Sequence, residues 1–184
     1  KVIVLGAQLD SWDIGEGAID DGTGVAQCIE VLRTLKALGY ENNHTIRVVL
    51  YANSENGGQG REMYAAYVKK KEEKHVFALG TDAGGYSPRG FSLDMPPQRR
   101  KQIFEWKNYF LPYGIYDFDQ TYAIQDISPL KKLDIPLAEL VVDTQRYFDY
   151  HHSAEDTFDK VNKRELLLGA VAMTQLIFMI DKNW

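Results

Sequence analysis

Short apolar runs alternate along this chain with longer stretches in which apolar residues recur every three or four positions. The runs are typical of β-strands buried on both faces, and the periodic stretches are typical of amphipathic helices. The four clearest runs are Val2–Leu5, Thr45–Ala52, His75–Gly80 and Pro136–Asp143. Because strands that alternate with helices form a parallel sheet covered on both faces, the sequence predicts a three-layer α/β/α fold with a largely parallel (mixed) central sheet.

Helices are predicted between and after these strands. Apolar residues recur at helical spacing from Thr23 to Leu38, and Gly39 supplies a glycine C-terminus. Further helices are predicted for residues 61–74, 99–110, 126–135 and 163–180. Residues 85–97 are predicted to form a loop, because Gly and Pro interrupt them. We expect a single domain over residues 1–184. Because the chain opens directly on a core strand, we expect residues of that domain to precede Lys1.

Charge and composition narrow the classes of partner. The net charge is -5, with acidic and basic residues interspersed, which argues against nucleic acid or an anionic membrane as a partner. The apolar stretch Leu166–Ile180 is too short and too interrupted to span a bilayer. The one cysteine, Cys28, lies in an apolar-periodic segment and is interpreted as a buried thiol. Oligomeric state is left open.

Polar side chains follow the predicted strands. In sheets of this kind, ligands bind at the carboxyl ends of the strands, where loops from several strands meet. The polar residues at or after these ends are Gln8, Asp10, Asp20, Asp21, Ser54, Glu55, Asp82, His151 and His152. Their common position predicts one polar site at this edge of the sheet.

Carboxylates and histidines in this arrangement favour zinc, which accepts carboxylate oxygen and imidazole nitrogen as ligands. Taken alone, Asp20 and Asp21 equally suit the start of the helix at Thr23, because acidic side chains are common at helix N-termini. A single histidine at position 151 or 152 is likewise typical of a surface or hydrogen-bonded residue. The metal hypothesis therefore depends on the cluster as a whole.

Four segments carry a resemblance to a known family: LDSWDIGEGAIDDGTGVA, TIRVVLYANSENGGQG, TDAGG and HHSAEDT. In this order they resemble the co-catalytic zinc exopeptidases that include bacterial leucyl aminopeptidase, and most of all the branch of plasma glutamate carboxypeptidase (carboxypeptidase Q). The likeness runs from Gly6 to about Thr157, with residues 86–135 matching loosely. It implies the zinc-exopeptidase fold, hydrolysis of peptides at a chain terminus, and a secreted or periplasmic location.

The resemblance assigns roles to residues of this chain. Asp20 matches the carboxylate that bridges two zinc ions. Asp10 matches the carboxylate that orients the first histidine ligand from behind. Glu55 and His152 match the ligands of one zinc ion, and Asp82 matches the carboxylate ligand of the other.

Two positions depart from the family pattern. The motif His-x-Asp reads Gln8-Leu9-Asp10 here, and a neutral amide oxygen is a much poorer zinc ligand than an imidazole. The family's two adjacent glutamates read Ser54-Glu55, and the first of that pair is the general base. Serine does not take a proton from water at neutral pH without a base of its own. We therefore expect one zinc ion at most, or none.

These departures predict a zinc exopeptidase homologue of aminopeptidase or carboxypeptidase type with impaired or lost hydrolysis, which binds a peptide or amino-acid-like ligand. Loss of a general base costs ~10²–10⁴-fold in rate. One alternative is an active metallo-aminopeptidase or carboxypeptidase in which Asp82 or a neighbouring carboxylate is the base. Another is a non-catalytic interaction domain on the same fold, as in transferrin receptor ectodomains. Single-zinc acyl transfer of the glutaminyl cyclase type is disfavoured, since it uses the glutamate that Ser54 replaces.

Overall fold

A mixed sheet of five strands forms the centre of the molecule in the computed structural model, which describes residues 1–123 and 126–184. The strand order is β2-β1-β3-β5-β4. β1 pairs in parallel with β2 and β3, β3 pairs in parallel with β5, and β4 runs antiparallel to β5. The strands are β1 (Val2–Gln8), β2 (Thr45–Tyr51), β3 (His75–Gly80), β4 (Pro88–Asp94) and β5 (Leu137–Val142). The predicted fold class is confirmed.

Helices cover both faces of this sheet. They are α1 (Thr23–Ala37), α2 (Gln59–Lys71), α3 (Pro97–Phe110), α4 (Tyr147–Tyr150) and α5 (Lys163–Asn183). Short 3₁₀ turns span Leu111–Tyr113, Ser128–Leu133 and Phe158–Lys160, and a π-type turn spans Ala18–Gly22. Helices α1, α3 and α5 pack on one face, and α2 packs with the turn at 128–133 on the other.

The core lies in two layers because successive residues of a strand point to opposite faces. On one face, Leu5 packs in a cluster with Val31 of α1 and Met173 of α5. On the other face, Val4 packs in a cluster with Val68 of α2 and Leu130. Residues 2–8 of β1 are buried throughout, so the carboxyl end of this strand lies in the interior.

The prediction of a loop for residues 85–97 is wrong over much of its length, because β4 occupies Pro88–Asp94. β4 is an edge strand, and Pro88 is its first residue, a position where a missing N–H is tolerated. Gly90 lacks a side chain where the backbone of Asp117 crosses it, and Phe91 donates a backbone hydrogen bond to the Asp117 carbonyl at 2.8 Å. These pairings are tertiary, so the local sequence carries no signal for them.

The C-terminal helix and the cysteine agree with their predicted surroundings. α5 begins after Asn162, whose side chain accepts hydrogen bonds from the N–H groups of Arg164 and Glu165. Among the residues described, no helix combines the length and the apolar character needed to cross a bilayer. Cys28 is fully buried in α1.

Candidate metal centre

A polar cavity of about 280 Å³ lies where β1, β2 and β3 end. It is lined by Gln8, Asp20, Ser54, Glu55, Arg61, Asp82, Asp126, Tyr147, His151 and His152. The structure therefore brings together seven of the residues singled out in the sequence: Gln8, Asp20, Ser54, Glu55, Asp82, His151 and His152. A larger groove of about 730 Å³ lies between α1 and α5, but it contains none of these residues.

Asp20 lies in the floor of the cavity because two neighbouring carboxylates hold its loop. Asp156 accepts hydrogen bonds from the N–H groups of Ile19 at 2.5 Å and Asp20 at 3.1 Å. Asp21 accepts from the N–H of Gln8 at 3.1 Å and from that of Gly24 at 2.9 Å. Asp21 thus ties the loop both to β1 and to the first turn of α1.

Two adjacent histidines reach the same carboxylate. The Nε2 atoms of His151 and His152 each lie 3.3 Å from Oδ2 of Asp20. His152 Nε2 also lies 3.1 Å from Oε2 of Glu55, and the two imidazole rings stack with 3.6 Å between their centroids. Ligand atoms of Asp20, His151 and His152 lie within 4.8 Å of one another. One carboxylate and two imidazoles this close together, with Glu55 beside His152, are a donor set that suits zinc.

Aromatic side chains enclose these groups. Trp12 donates from Nε1 to Oε2 of Glu55 at 3.1 Å, and its ring centroid lies 5.1 Å from that of His152. Tyr147 lies against His151 with 4.7 Å between ring centroids. Phe148 is 77% exposed, so it stands at the outer edge of the site.

The side-chain amide of Gln8 lies among the carboxylates as a hydrogen-bond donor. Its Nε2 donates to Oε1 of Glu55 at 2.9 Å, to Oδ1 of Asp20 at 3.4 Å and to the backbone carbonyl of Asp10 at 3.2 Å. Because all three partners are acceptors, the amide presents its NH₂ group to them. Gln8 therefore links the carboxylates of Asp20 and Glu55 with a neutral group.

Asp10 binds the backbone of the second loop. Its Oδ1 accepts from the N–H of Ser54 at 2.9 Å, and its Oδ2 accepts from the N–H of Glu55 at 3.2 Å. The structure thus places Asp10 behind the loop that presents Glu55, whereas the resemblance places it behind the residue at position 8.

Asp126 and Arg61 also reach the cavity, although neither was predicted to belong to the site. The hydroxyl of Ser54 donates to Oδ1 of Asp126 at 2.6 Å. The Nη1 of Arg61 lies 3.5 Å from the same oxygen. The Asp126 side chain is 2% exposed, and its Oδ2 has no hydrogen-bond partner among the described residues. A carboxylate from another segment of the chain, that of Asp126, therefore lies beside the serine at position 54.

Crowding of acidic groups changes their proton affinity. Burial, followed by the nearby charges of Asp82 and Glu55, raises the pKa of Asp20 to about 8. Burial, followed by Asp126 and Glu55, raises the pKa of Asp82 to about 7. Burial, followed by the neighbouring His152, lowers the pKa of His151, which favours the neutral imidazole that metals bind. A divalent cation in this cavity would relieve the repulsion between the carboxylates.

The residues that sequence reasoning missed lacked a positional signal. Asp126 lies in a loop that follows no predicted parallel strand. Its hydrogen bond with Ser54, which is visible only in the structure, is what connects it to the site. Asp156 is part of the HHSAEDT segment, but its role as an acceptor for the Asp20 loop requires contacts across 136 residues of sequence. His151 was expected in the polar site, but the resemblance assigns it no ligand role; its contact with Asp20 beside His152 becomes visible only in the structure.

Comparison with known proteins agrees with this geometry. The model of the family described as Peptidase family M28 matches residues 1–177. Carboxypeptidase Q from Xenopus laevis is 31% identical over 183 residues, which are 98% of this chain and 38% of that protein. Carboxypeptidase Q from Mus musculus is 28% identical over 180 residues, with the same two coverages. The chain therefore spans about two fifths of the length of these relatives.

Solved structures give the same result. The crystal structure of a peptidase M28 precursor from Shewanella amazonensis SB2B matches with a TM-score of 0.92 and 33% identity, covering 98% of this chain and 41% of that one. The structure of BSAP, a zinc aminopeptidase from Bacillus subtilis, matches with a TM-score of 0.79 and 16% identity, covering 97% and 46%. The second match concerns the fold alone. Together these comparisons confirm the resemblance predicted from the four sequence segments.

Proposed function

The chain belongs to peptidase family M28, and from that premise we propose that it is a zinc exopeptidase homologue that holds one metal ion and hydrolyses peptides poorly. The ion is held by Asp20, Glu55 and His152, with His151 supporting Asp20. At the neighbouring metal site of the family, Gln8 replaces the histidine ligand, and the carboxylates of Asp20 and Asp82 are retained.

The observation that carries this proposal is the position of the Gln8 amide. It donates to both Asp20 and Glu55, so it offers a hydrogen where a second metal would need a lone pair. The oxygen of an amide is in addition a weaker zinc ligand than an imidazole nitrogen. By contrast, Nε2 of His152 lies 3.1 Å from Oε2 of Glu55 and 3.3 Å from Oδ2 of Asp20, which supports an ion held by one imidazole and these two carboxylates.

Zinc in such a site polarises a carbonyl group and lowers the pKa of water. The residues of the chain supply the rest of the site. Trp12 fixes Glu55 through its indole N–H, Asp10 fixes the backbone that carries Glu55, and Asp156 fixes the loop of Asp20. These contacts preorganise the ligands before any ion binds.

The ligand that we propose is a short peptide or an amino-acid-like molecule. A cavity of about 280 Å³ is small for a folded partner but suits the end of a peptide. Among the residues that line it, Arg61 supplies a guanidinium, which can pair with a substrate carboxylate. The cationic side chain is 17% exposed and is held beside Asp126, so it is fixed in place.

Two measurements test the proposal. Elemental analysis of protein purified without chelators should give one zinc per chain, and the His152→Ala variant should give none. Release of amino acids from a panel of dipeptides should depend on zinc and should be slower than the ordinary range of about 1–10³ per second. Two zinc ions with ordinary turnover would support an active peptidase instead, and absence of zinc would support a binding or interaction domain.

A further inference from the structure

Ser54 and Asp126 form a partly buried pair at the position where the family's general-base glutamate stands. The Ser54 hydroxyl donates to Oδ1 of Asp126 at 2.6 Å, a short hydrogen bond of the charge-assisted kind. Both residues line the cavity that holds Asp20, Glu55 and His152. The serine therefore has the base of its own that its chemistry requires.

The surroundings of Asp126 suit a proton acceptor. Its side chain is 2% exposed, and Oδ2 makes no hydrogen bond to any described residue. Arg61, 3.5 Å from Oδ1, keeps the buried charge compensated. Burial raises the pKa of Asp126 above its ordinary value, while Ser54 and Arg61 oppose that rise. A carboxyl whose pKa is raised toward neutrality is a better base than an exposed one.

We propose that Asp126 is the proton acceptor for hydrolysis at this site and that the Ser54 hydroxyl relays the proton to it. This inference rests on the proposed function. The oxygen of the attacking water bonds to the peptide carbonyl carbon. One water proton passes to Oγ of Ser54 as the proton of that hydroxyl passes to Oδ1 of Asp126. When the C–N bond breaks, the proton returns along the same path to the leaving amine nitrogen. One water is consumed, and an acid and an amine are released.

The geometry separates this relay from two other interpretations of the pair. In one interpretation, Ser54 is a nucleophile, which would hold the acyl group on Oγ while a base protonates the leaving group. Ser54 lies in NSENG, which lacks the G-x-S-x-G turn of such nucleophiles, so the sequence disfavours this interpretation. A purely structural hydrogen bond would leave no reason for a buried carboxylate oxygen that has no partner among the described residues, because buried polar groups are ordinarily satisfied.

A double-mutant cycle tests the relay. With zinc content verified in each variant, Asp126→Asn should lower kcat by ~10²–10⁴-fold, because the amide is isosteric but not basic. Ser54→Ala should lower kcat to a similar level, and the double variant should be no slower, because both residues act in one path. Asp119→Asn, an exposed carboxylate outside the cavity, is the matched control and should not change kcat.

A second measurement needs neither metal nor turnover. Carboxyl ¹³C NMR of the metal-free protein should show the Asp126 signal, assigned through Asp126→Asn, titrating at higher pH in Ser54→Ala than in the wild type. Loss of the serine hydrogen bond removes a contact that lowers the pKa of Asp126. An unchanged midpoint would show that the pair does not form in solution and would overturn the inference even if a variant folded poorly.

The outcomes separate the inference from the function on which it rests. Zinc-dependent hydrolysis that Asp126→Asn leaves within about threefold of wild type would overturn the relay and leave the proposed function intact. Additive losses in the double variant would also overturn it, because independent effects do not describe one path. A wild type that binds zinc but shows no turnover would overturn both.

Discussion

Nε2 of Gln8 lies 2.9 Å from Oε1 of Glu55 and 3.4 Å from Oδ1 of Asp20. One neutral side chain thus links two carboxylates that would otherwise repel each other. The link explains how these acidic side chains stay close together at a site where a metal cation is expected. It also makes Gln8 a structural element of this chain and not only a missing ligand.

Gln8→Ala should lower the free energy of unfolding of the metal-free protein by about 1–3 kcal/mol, because the buried carboxylate of Asp20 and the partly buried one of Glu55 each lose a donor. Zinc bound by Asp20, Glu55 and His152 should be retained, since none of these ligands is altered. Thermal unfolding and elemental analysis measure the two effects. Gln145→Ala, at an exposed site, is the control. Loss of zinc in Gln8→Ala equal to that in His152→Ala would show that Gln8 is itself a ligand.

The two adjacent histidines should differ in their effect on zinc affinity. His152→Ala should abolish binding, because its imidazole contacts both Glu55 and Asp20. His151→Ala should weaken binding by ~10–100-fold, the usual cost of losing a group that supports a ligand. Competition titration with a chromogenic chelator gives both constants, with Phe148→Ala as the control for local disturbance. If both variants lose zinc binding completely, His151 is a direct zinc ligand like His152.

Sequence patterns predicted the parts of this site that follow strand ends. Gln8 is the last residue of β1, Ser54 and Glu55 follow β2, and Asp82 follows β3. The parallel sheet brings these strand ends together for topological reasons alone. The short apolar runs predict which segments are buried strands, and their alternation with helices predicts a parallel sheet. The residues of the cavity that belong to this group were therefore accessible without coordinates.

Other features were not accessible, because they depend on pairings between distant segments. β4 contains Pro88 and Gly90, which locally signal a loop, and becomes a strand only by pairing with β5. Asp126 meets Ser54 across 72 residues and lies at no strand end. The donor role of the Gln8 amide likewise depends on which acceptors the fold places around it.

Glu139 should make stability fall as pH rises. Burial, followed by the charge of Asp82, raises the pKa of this β5 side chain to about 8 from an ordinary 4.5, and Oε2 has no partner among the described residues. The folded protein therefore keeps a proton that the unfolded chain loses above pH 4.5, so its stability declines between about pH 4.5 and 8. Each unit of the shift corresponds to about 1.4 kcal/mol.

Glu139→Gln should accordingly raise the melting temperature of the metal-free protein at pH 8 to 9 and leave it nearly unchanged near pH 4. The amide keeps the shape of the protonated acid without the cost of ionising it in the interior. Differential scanning calorimetry across this range measures the effect, with the exposed Glu105→Gln as the control. A lower melting temperature for Glu139→Gln at pH 9 would mean that a compensating charge faces Glu139.

Asp181 should have the opposite dependence on pH. The carboxylate is buried near the end of α5 and accepts hydrogen bonds from the hydroxyl of Tyr40, the N–H groups of Asn43 and His44, and Nδ1 of His44. Burial alone would raise the pKa of Asp181, but these donors outweigh it and lower the pKa. The stabilisation is therefore complete above the ordinary carboxyl range and is lost as pH falls through the lowered value.

Asp181→Asn should lower the free energy of unfolding by about 3 kcal/mol at pH 7, because an NH₂ group would face donors that now meet a carboxylate. The difference from wild type should shrink as the solution is acidified below the ordinary pKa of an aspartate, where the wild-type group also takes a proton. Urea unfolding at several pH values measures both. A difference that stays constant down to pH 2 would indicate that the loss comes from packing and not from charge.

The last prediction concerns restoration of the second metal. Gln8→His replaces a donor with an imidazole next to Asp20, on the side where Asp82 has a buried oxygen without a partner among the described residues. Zinc content should rise from one to two ions per chain, because Asp20, Asp82 and the new imidazole then form a ligand set of the kind that zinc accepts. If Asp126 already accepts protons through Ser54, this single change should raise kcat by at least about tenfold. The reason is that a bound metal ion stabilises charge in the transition state by several kcal/mol.

Adding Ser54→Glu to Gln8→His should then give no further gain. The new carboxylate would take the place of a hydroxyl that lies 2.6 Å from Asp126, and two acids that close share one proton. Elemental analysis and turnover of a dipeptide panel compare wild type, both single variants and the double. If Gln8→His alone binds two zinc ions without faster turnover, while the double variant turns over rapidly, the glutamate is indispensable and Asp126 is not the base. If both variants bind two ions and neither accelerates hydrolysis, the substrate pocket itself has changed.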